Sequence, residues 1–228
     1  MTTAKRAART IAVLLLLQMA AGPIVNFVLL QPVLAAPGFL DNAATHSLQI
    51  AVAVVIGLAT VAATVGIAIA ALPVFRPHSQ AMAYWLLALA IVGLAVAAVE
   101  NVGVLSMLSL SQASARADGA NADLFKTLGV VVTAPRNWAH YLGLIIGGSV
   151  AFVLYSTLFR FALVPRVLAG FGIVAALLEI IAVAMPIFGQ RIIFPMIAPL
   201  GLAHLSLAIW LIAKGFAQRE PVVSATRE

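Results

Sequence analysis

Six long apolar runs, divided by short polar breaks, occupy most of the chain. They cover residues 10–34, 47–75, 81–110, 138–159, 167–188 and 192–216. A helix of about 20 mostly apolar residues crosses the roughly 30 Å hydrocarbon layer of a bilayer. In that layer every backbone N–H and C=O needs a protein partner, and a helix supplies one within its own segment. The runs predict an all-α, polytopic fold, a bundle of six transmembrane helices. Little sequence is left for a soluble domain, because 64% of the residues are hydrophobic and 9% are charged. Soluble chains average about half and about a quarter. The expected organisation is a tail over residues 1–9, one membrane domain over 10–216 and a tail over 217–228.

The breaks have steric causes. Pro32 and Pro37-Gly38 close the first run, since proline lacks the N–H and clashes with the preceding turn. Arg76-Pro77-His78, the 160–166 segment with Pro165, and Phe188-Gly189-Gln190-Arg191 divide later runs. Short links make sequential helices antiparallel neighbours. The one long break, 111–137, begins Ser-Gln-Ala-Ser-Ala-Arg and reads as a loop. Within it, Leu124, Phe125, Leu128 and Val131 have helical spacing, which predicts a short amphipathic segment over 123–132 at the membrane surface.

The net charge of +6 does not point to nucleic acid, because the 13 Lys and Arg residues are scattered singly through links and tails. They read as topogenic charge. Nine (Lys5, Arg6, Arg9, Arg76, Arg160, Arg166, Lys214, Arg219, Arg227) fall on one side and four (Arg116, Lys126, Arg136, Arg191) on the other. That bias predicts both termini in the cytoplasm and an outward-facing 111–137 loop. Lys5, Arg6 and Arg9 before an apolar run ending Leu34-Ala35-Ala36 have the parts of a secretory signal. The run exceeds the 7–15 residues of such signals, so it is expected to remain as a helix. There is no cysteine, which excludes disulfides, thiol catalysis and thiolate metal sites. No internal repeat is evident.

Chemistry is expected from the titratable residues inside apolar runs: Glu100, His140, Glu179 and His204. Ionisable groups at membrane depth are expensive and face a bundle interior, a cavity or a partner. With outer ends near Leu110, Phe188 and Ile192, Glu100, Glu179 and His204 lie about 14 to 18 Å deep at 1.5 Å per residue. Asn26 lies about 12 Å deep and His140 only about 3 to 5 Å. Three readings remain open. Such groups can be structural, hydrogen-bonding across helices for about 0.6 to 2 kcal/mol each. They can form a solute, proton or cation pocket, with Glu100 and Glu179 as exchanging acids and Asn26, Asn101 and Ser106 beside them. Or Glu100, His140, Glu179 and His204 can be ligands of zinc or iron in an intramembrane enzyme. No His-Glu-x-x-His motif supports the metal reading, and haem would need His140 and His204 at similar depth. His46 and His78 sit at run edges as ordinary solvated groups. Gly143-x-x-x-Gly147 is expected to let a neighbouring helix approach closely.

Several segments carry a resemblance. Ala208-Ile-Trp-Leu-Ile-Ala-Lys-Gly-Phe216, Leu163-Val-Pro-Arg166 with Gly172, Arg136-x-Trp138-Ala-His140 with Gly143, and Leu128-Gly129 are the segments concerned. In that order and spacing they resemble a bacterial six-helix membrane family catalogued only as a domain of unknown function. The resemblance implies an inner-membrane protein and carries no activity with it. Its pattern often has an Arg three residues before the third-helix Glu, where this chain has Ala97. It often has a Glu where this chain has His204. The resemblance thus implies that an Arg-plus-two-Glu network is rewired here as Glu100 with His204.

The expected activity is binding or translocation of a small solute, proton or cation through an outward-opening polar pocket, with the lipid bilayer as surroundings. That reading is favoured over an enzyme. The alternatives are the metal-dependent enzyme and a structural or regulatory membrane partner.

Overall fold

The computed structural model describes residues 3–117 and 121–217. Among them it is all helical, and six spans are long and apolar enough to cross a membrane. They are α1 (Thr3–Leu34), α2 (Ala44–Phe75), α3 (Gln80–Arg116), α4 (Ala122–Arg160), α5 (Arg166–Phe188) and α6 (Phe194–Ala213). The protein is a multi-pass membrane protein. Residues 218–228, most of the expected C-terminal tail, lie outside the described residues, and so do Arg219 and Arg227. The expected N-terminal tail is helix from Thr3 onward, with Ala7 and Ala8 buried.

Each helix packs on its sequence neighbours, and α1 packs on α6, so the spans close into a ring. Local chemistry sets the corners. The Ser79 hydroxyl accepts from the Met82 N–H at 3.3 Å and caps the start of α3. Gly189, with φ 72°, takes the left-handed turn after α5. In the half of the bundle nearest the termini, Ile11, Leu15, Phe75, Leu86, Leu158, Leu207 and many alanines form the main core. A smaller cluster in the far half joins Val25, Leu30, Ile50, Ala53 and Val104. The far half is the looser one, and the cavity described below lies there.

The 111–137 segment departs from the loop expected at its start, and the helical stretch expected over 123–132 is part of a longer helix. Outside residues 117–121 it is helix, continuing α3 and opening α4. At 37 and 39 residues, these helices are about 55 and 58 Å long, more than the roughly 40–45 Å of a whole bilayer. The polar residues of this segment are compatible with helix that projects into water. Ser111 is fully buried; its hydroxyl donates to the Leu40 carbonyl at 2.7 Å and accepts from the Ala44 N–H at 2.9 Å. That ties the projecting hairpin to a short helical turn, Phe39–Asn42. Pro135 lies inside α4, where it removes one backbone bond without ending the helix.

α1 is not a uniform helix. After Pro23 it opens into a π-helical stretch, Ile24–Leu30, before a final α turn, Gln31–Leu34. Its first part packs on both α2 and α6, whereas the π stretch packs on α2.

Glycines set two of the close approaches. A methyl group at Gly103 would stand 2.7 Å from Arg136 Cβ, and one at Gly148 would stand 2.7 Å from Ile180 Cγ1. Gly143 meets only Val96, at 3.8 Å, and Gly147 has nothing within 4 Å. The Gly143-x-x-x-Gly147 pattern therefore opens space at Gly147 and makes no tight crossing there. Gly148→Ala is expected to destabilise by about 1 to 3 kcal/mol through overpacking. The adjacent Gly147→Ala is expected to cost nothing measurable. Thermal unfolding of the two variants in mild detergent tests this contrast, and equal losses would contradict it.

Candidate functional site

Glu100 lies on α3, about 30 Å along the helix from its start at Gln80. His140 on α4 lies the same distance, about 30 Å, from the end of that helix at Arg160. They meet: His140 Nδ1 donates to Glu100 Oε1 at 2.9 Å. Arg136, one turn away on α4, reaches the same oxygen with a terminal nitrogen at 3.4 Å. Its other terminal nitrogen donates to Asn137 Oδ1 at 3.3 Å. The Arg136 side chain is 9% exposed and that of Glu100 20%, so the pair is largely withdrawn from solvent. A buried pair of this kind contributes little net stability, but removing one member leaves a costly charge behind. Gly103 makes room for it, because Arg136 lies over the position a side chain would take.

This geometry corrects three expectations. His140 does not sit above Glu100 but beside it, because α3 and α4 run on past the ends assumed at Leu110 and Trp138. Arg136 is not an outer-loop charge but an internal partner. Glu100 is ion-paired with Arg136 and hydrogen-bonded by His140 of the next helix, and His204 plays no part.

His204 is elsewhere. It lies about 14 Å from the end of α6 at Ala213, well below Glu100. Its Nδ1 donates to the Leu200 carbonyl at 2.8 Å, and its ring meets the edge of Tyr155 at 5.7 Å between centroids. It belongs to the α4–α6 packing.

A cavity of about 280 Å³ lies among α1 to α5. Five of the polar residues singled out from the sequence line it: Asn26, Glu100, Asn101, His140 and Glu179. His204 and Ser106 do not; Ser106 is exposed and donates to the Val102 carbonyl at 2.9 Å. Asn26 and Asn101 spend their amide N–H groups on the Gly22 and Ala97 carbonyls, at 3.0 and 2.7 Å. Glu179 is the only α5 residue in the lining. It lies about 20 Å from the start of α5, roughly 10 Å nearer the termini than Glu100. Facing that level are Thr60 of α2, Gly93 of α3 and Gly147 of α4, all small, and their size leaves the space open.

The four acids and histidines considered as metal ligands do not converge. Glu100 and His140 are adjacent, Glu179 is a level below and His204 is outside the cavity. Among the described residues no group of three or more His, Asp or Glu is placed to hold a metal ion. His140 and His204 are about 16 Å apart in depth, which does not fit two axial ligands of one haem. Of the edge histidines, His46 Nδ1 donates to the Asn42 carbonyl at 2.8 Å, and His78 packs edge-on against Phe161.

The sequence reading missed Arg136, Thr60, Thr64 and Gly147 as neighbours of the set. Arg136 had one available signal, its i, i+4 spacing from His140, which puts both on one face of a helix. The threonines gave none, since hydroxyls are ordinary in membrane helices.

The sequence of this region also matches a protein family, over residues 10–215. The chain belongs to the family described as a domain of unknown function, DUF4386. The match takes in nearly all of the six spans of this DUF4386 protein, including both faces of the Glu100 cluster and the whole cavity lining. No curated protein and no solved structure matched the chain.

If Glu100 and Arg136 compensate each other, Glu100→Gln and Arg136→Met are each expected to destabilise by about 3 kcal/mol. The double variant is expected to recover at least about 1 kcal/mol of the summed loss. A double-mutant cycle by chemical unfolding in detergent measures the coupling, and strict additivity would rule the pairing out.

Proposed function

We propose that the protein binds a small solute within the membrane, in the cavity among α1 to α5, and that proton or cation exchange at its acids accompanies carriage of that solute. The observation that supports this is the cavity itself: about 280 Å³, mostly apolar, with five polar side chains turned onto it. Ligand sites have this character, an apolar surface with a few converging polar groups. The Asn26 region adds to the case, since π-helical turns occur frequently at functional sites. A merely structural hydrogen-bonding role accounts for Glu100 and His140 but gives no reason for open space beside Glu179.

We also propose a bacterial inner-membrane location with both termini in the cytoplasm. With Arg136 internal, the basic residues in links and tails stand nine to three in favour of the terminal side. Green fluorescent protein fused after the C-terminus is expected to fluoresce. Alkaline phosphatase inserted at residues 118–120 is expected to be active. The reverse pattern would overturn the orientation.

Binding is tested with naphthalene-sized probes, read as a rise in the unfolding midpoint. At 100 times its dissociation constant, such a probe adds about 2.7 kcal/mol of stability. Gly147→Phe, which fills the space at Gly147, is expected to abolish the rise, and His204→Leu to retain it. Absence of any rise in the wild type would sink the binding reading.

A further inference from the structure

The two acids of the cavity are not equivalent. Glu100 is compensated by Arg136 and hydrogen-bonded by His140. Among the described residues Glu179 makes neither an ion pair nor a hydrogen bond. Its Oε2 is buried with no hydrogen bond, and it takes part in none of the ion pairs of the described residues. With Glu100 and Arg136 cancelling, an ionised Glu179 leaves the lining one positive charge short. Buried charges are otherwise paired, and an uncompensated one at membrane depth costs several kcal/mol.

The remaining surroundings suit an amphiphile. Thr60 and Thr64 line the same cavity. Their hydroxyl oxygens can accept further hydrogen bonds, although Thr60 already donates to Ile56 and Thr64 already accepts from Gln18. An ammonium group has donors for a carboxylate and for such oxygens at once. The rest of the wall is apolar: Val25, Val61, Leu89, Leu144 and Val150. Its volume is about twice that of an apolar cavity that takes one benzene. The cavity is also open along one side. Asn26 and Gly147 line it yet are exposed, and the π stretch of α1 packs on α2, not on α5 or α6. At the level of Gly147 the surroundings of the bundle are hydrocarbon.

Resting on the small-solute reading above, we infer that the ligand is a membrane-soluble organic amine, with its ammonium group on Glu179 and its apolar body against α2 to α4. The two readings fail differently. The full chain is placed in phosphatidylcholine nanodiscs at pH 7, with empty discs as the partition blank. Binding of 1-naphthylmethylamine is compared with that of 1-ethylnaphthalene, which replaces the ammonium by a methyl group. The wild type is expected to favour the amine by about tenfold or more, and Glu179→Gln to bring the two probes level. Equal binding of both probes to the wild type would overturn the amine inference and leave the cavity as a neutral-solute site. Binding of neither would overturn both. The wild-type comparison alone decides the class, so a Glu179→Gln variant that failed to fold would not rescue the inference.

Discussion

The contact among Glu100, Arg136 and His140 is the constraint around which the far half of the bundle is arranged. A carboxylate and a guanidinium at this depth must be brought together and held, since each alone is costly. Holding them requires α3 and α4 to approach closely, and Gly103 permits it by presenting no side chain to Arg136. It also fixes the register of the two longest helices, because Glu100 and His140 must stand at one height. The half nearer the termini needs no such device. Its alanine-rich faces allow close approach by van der Waals packing alone.

The cavity follows from this division. Where α1 packs on α2 and on α6 in the terminal half, small apolar residues interlock. Farther along, α1 changes its hydrogen-bonding pattern and keeps α2 as its main neighbour, while α3 and α4 are pinned to each other by the ion pair. The volume between them is filled by no side chain, because Gly93, Gly147 and Thr60 are too small to reach across it. Glu179 is thus left facing space where a larger residue on α4 would have covered it.

Much of the fold was legible in the sequence, because the physics of a bilayer is one-dimensional at that scale. Apolar length alone marks a span, and proline, glycine and arginine mark its ends. The helical spacing over 123–132 was legible, but the helical course of the rest of the 111–137 segment was not, for a related reason. Beyond the headgroups polar residues cost nothing, so Gln112, Arg116, Asp123 and Lys126 are compatible with loop and with helix alike. The candidate site was legible as a set of residue types but not as a constellation. Depth counts along a helix say nothing about which way a side chain points. That is why His204, at a credible depth, proved to pack on Tyr155. Arg136, discounted as a loop charge, proved to be the partner that Glu100 needed.

The π-helical stretch of α1 has a consequence for how this helix tolerates insertion and deletion. Each i to i+5 closure takes in one residue more than an α turn, so Ile24–Leu30 holds surplus chain that α geometry has no place for. Loss of a single residue there would let the stretch relax to α-helix without breaking the span. The α segments on either side would keep nearly their present facing, because the π turn takes up its extra residue locally. Only side chains within the stretch, Val25 and Asn26 among them, would be re-aimed, so the α1 wall of the cavity would change while the protein kept all six spans. In this helix the length of the chain, as much as the identity of its residues, specifies the wall.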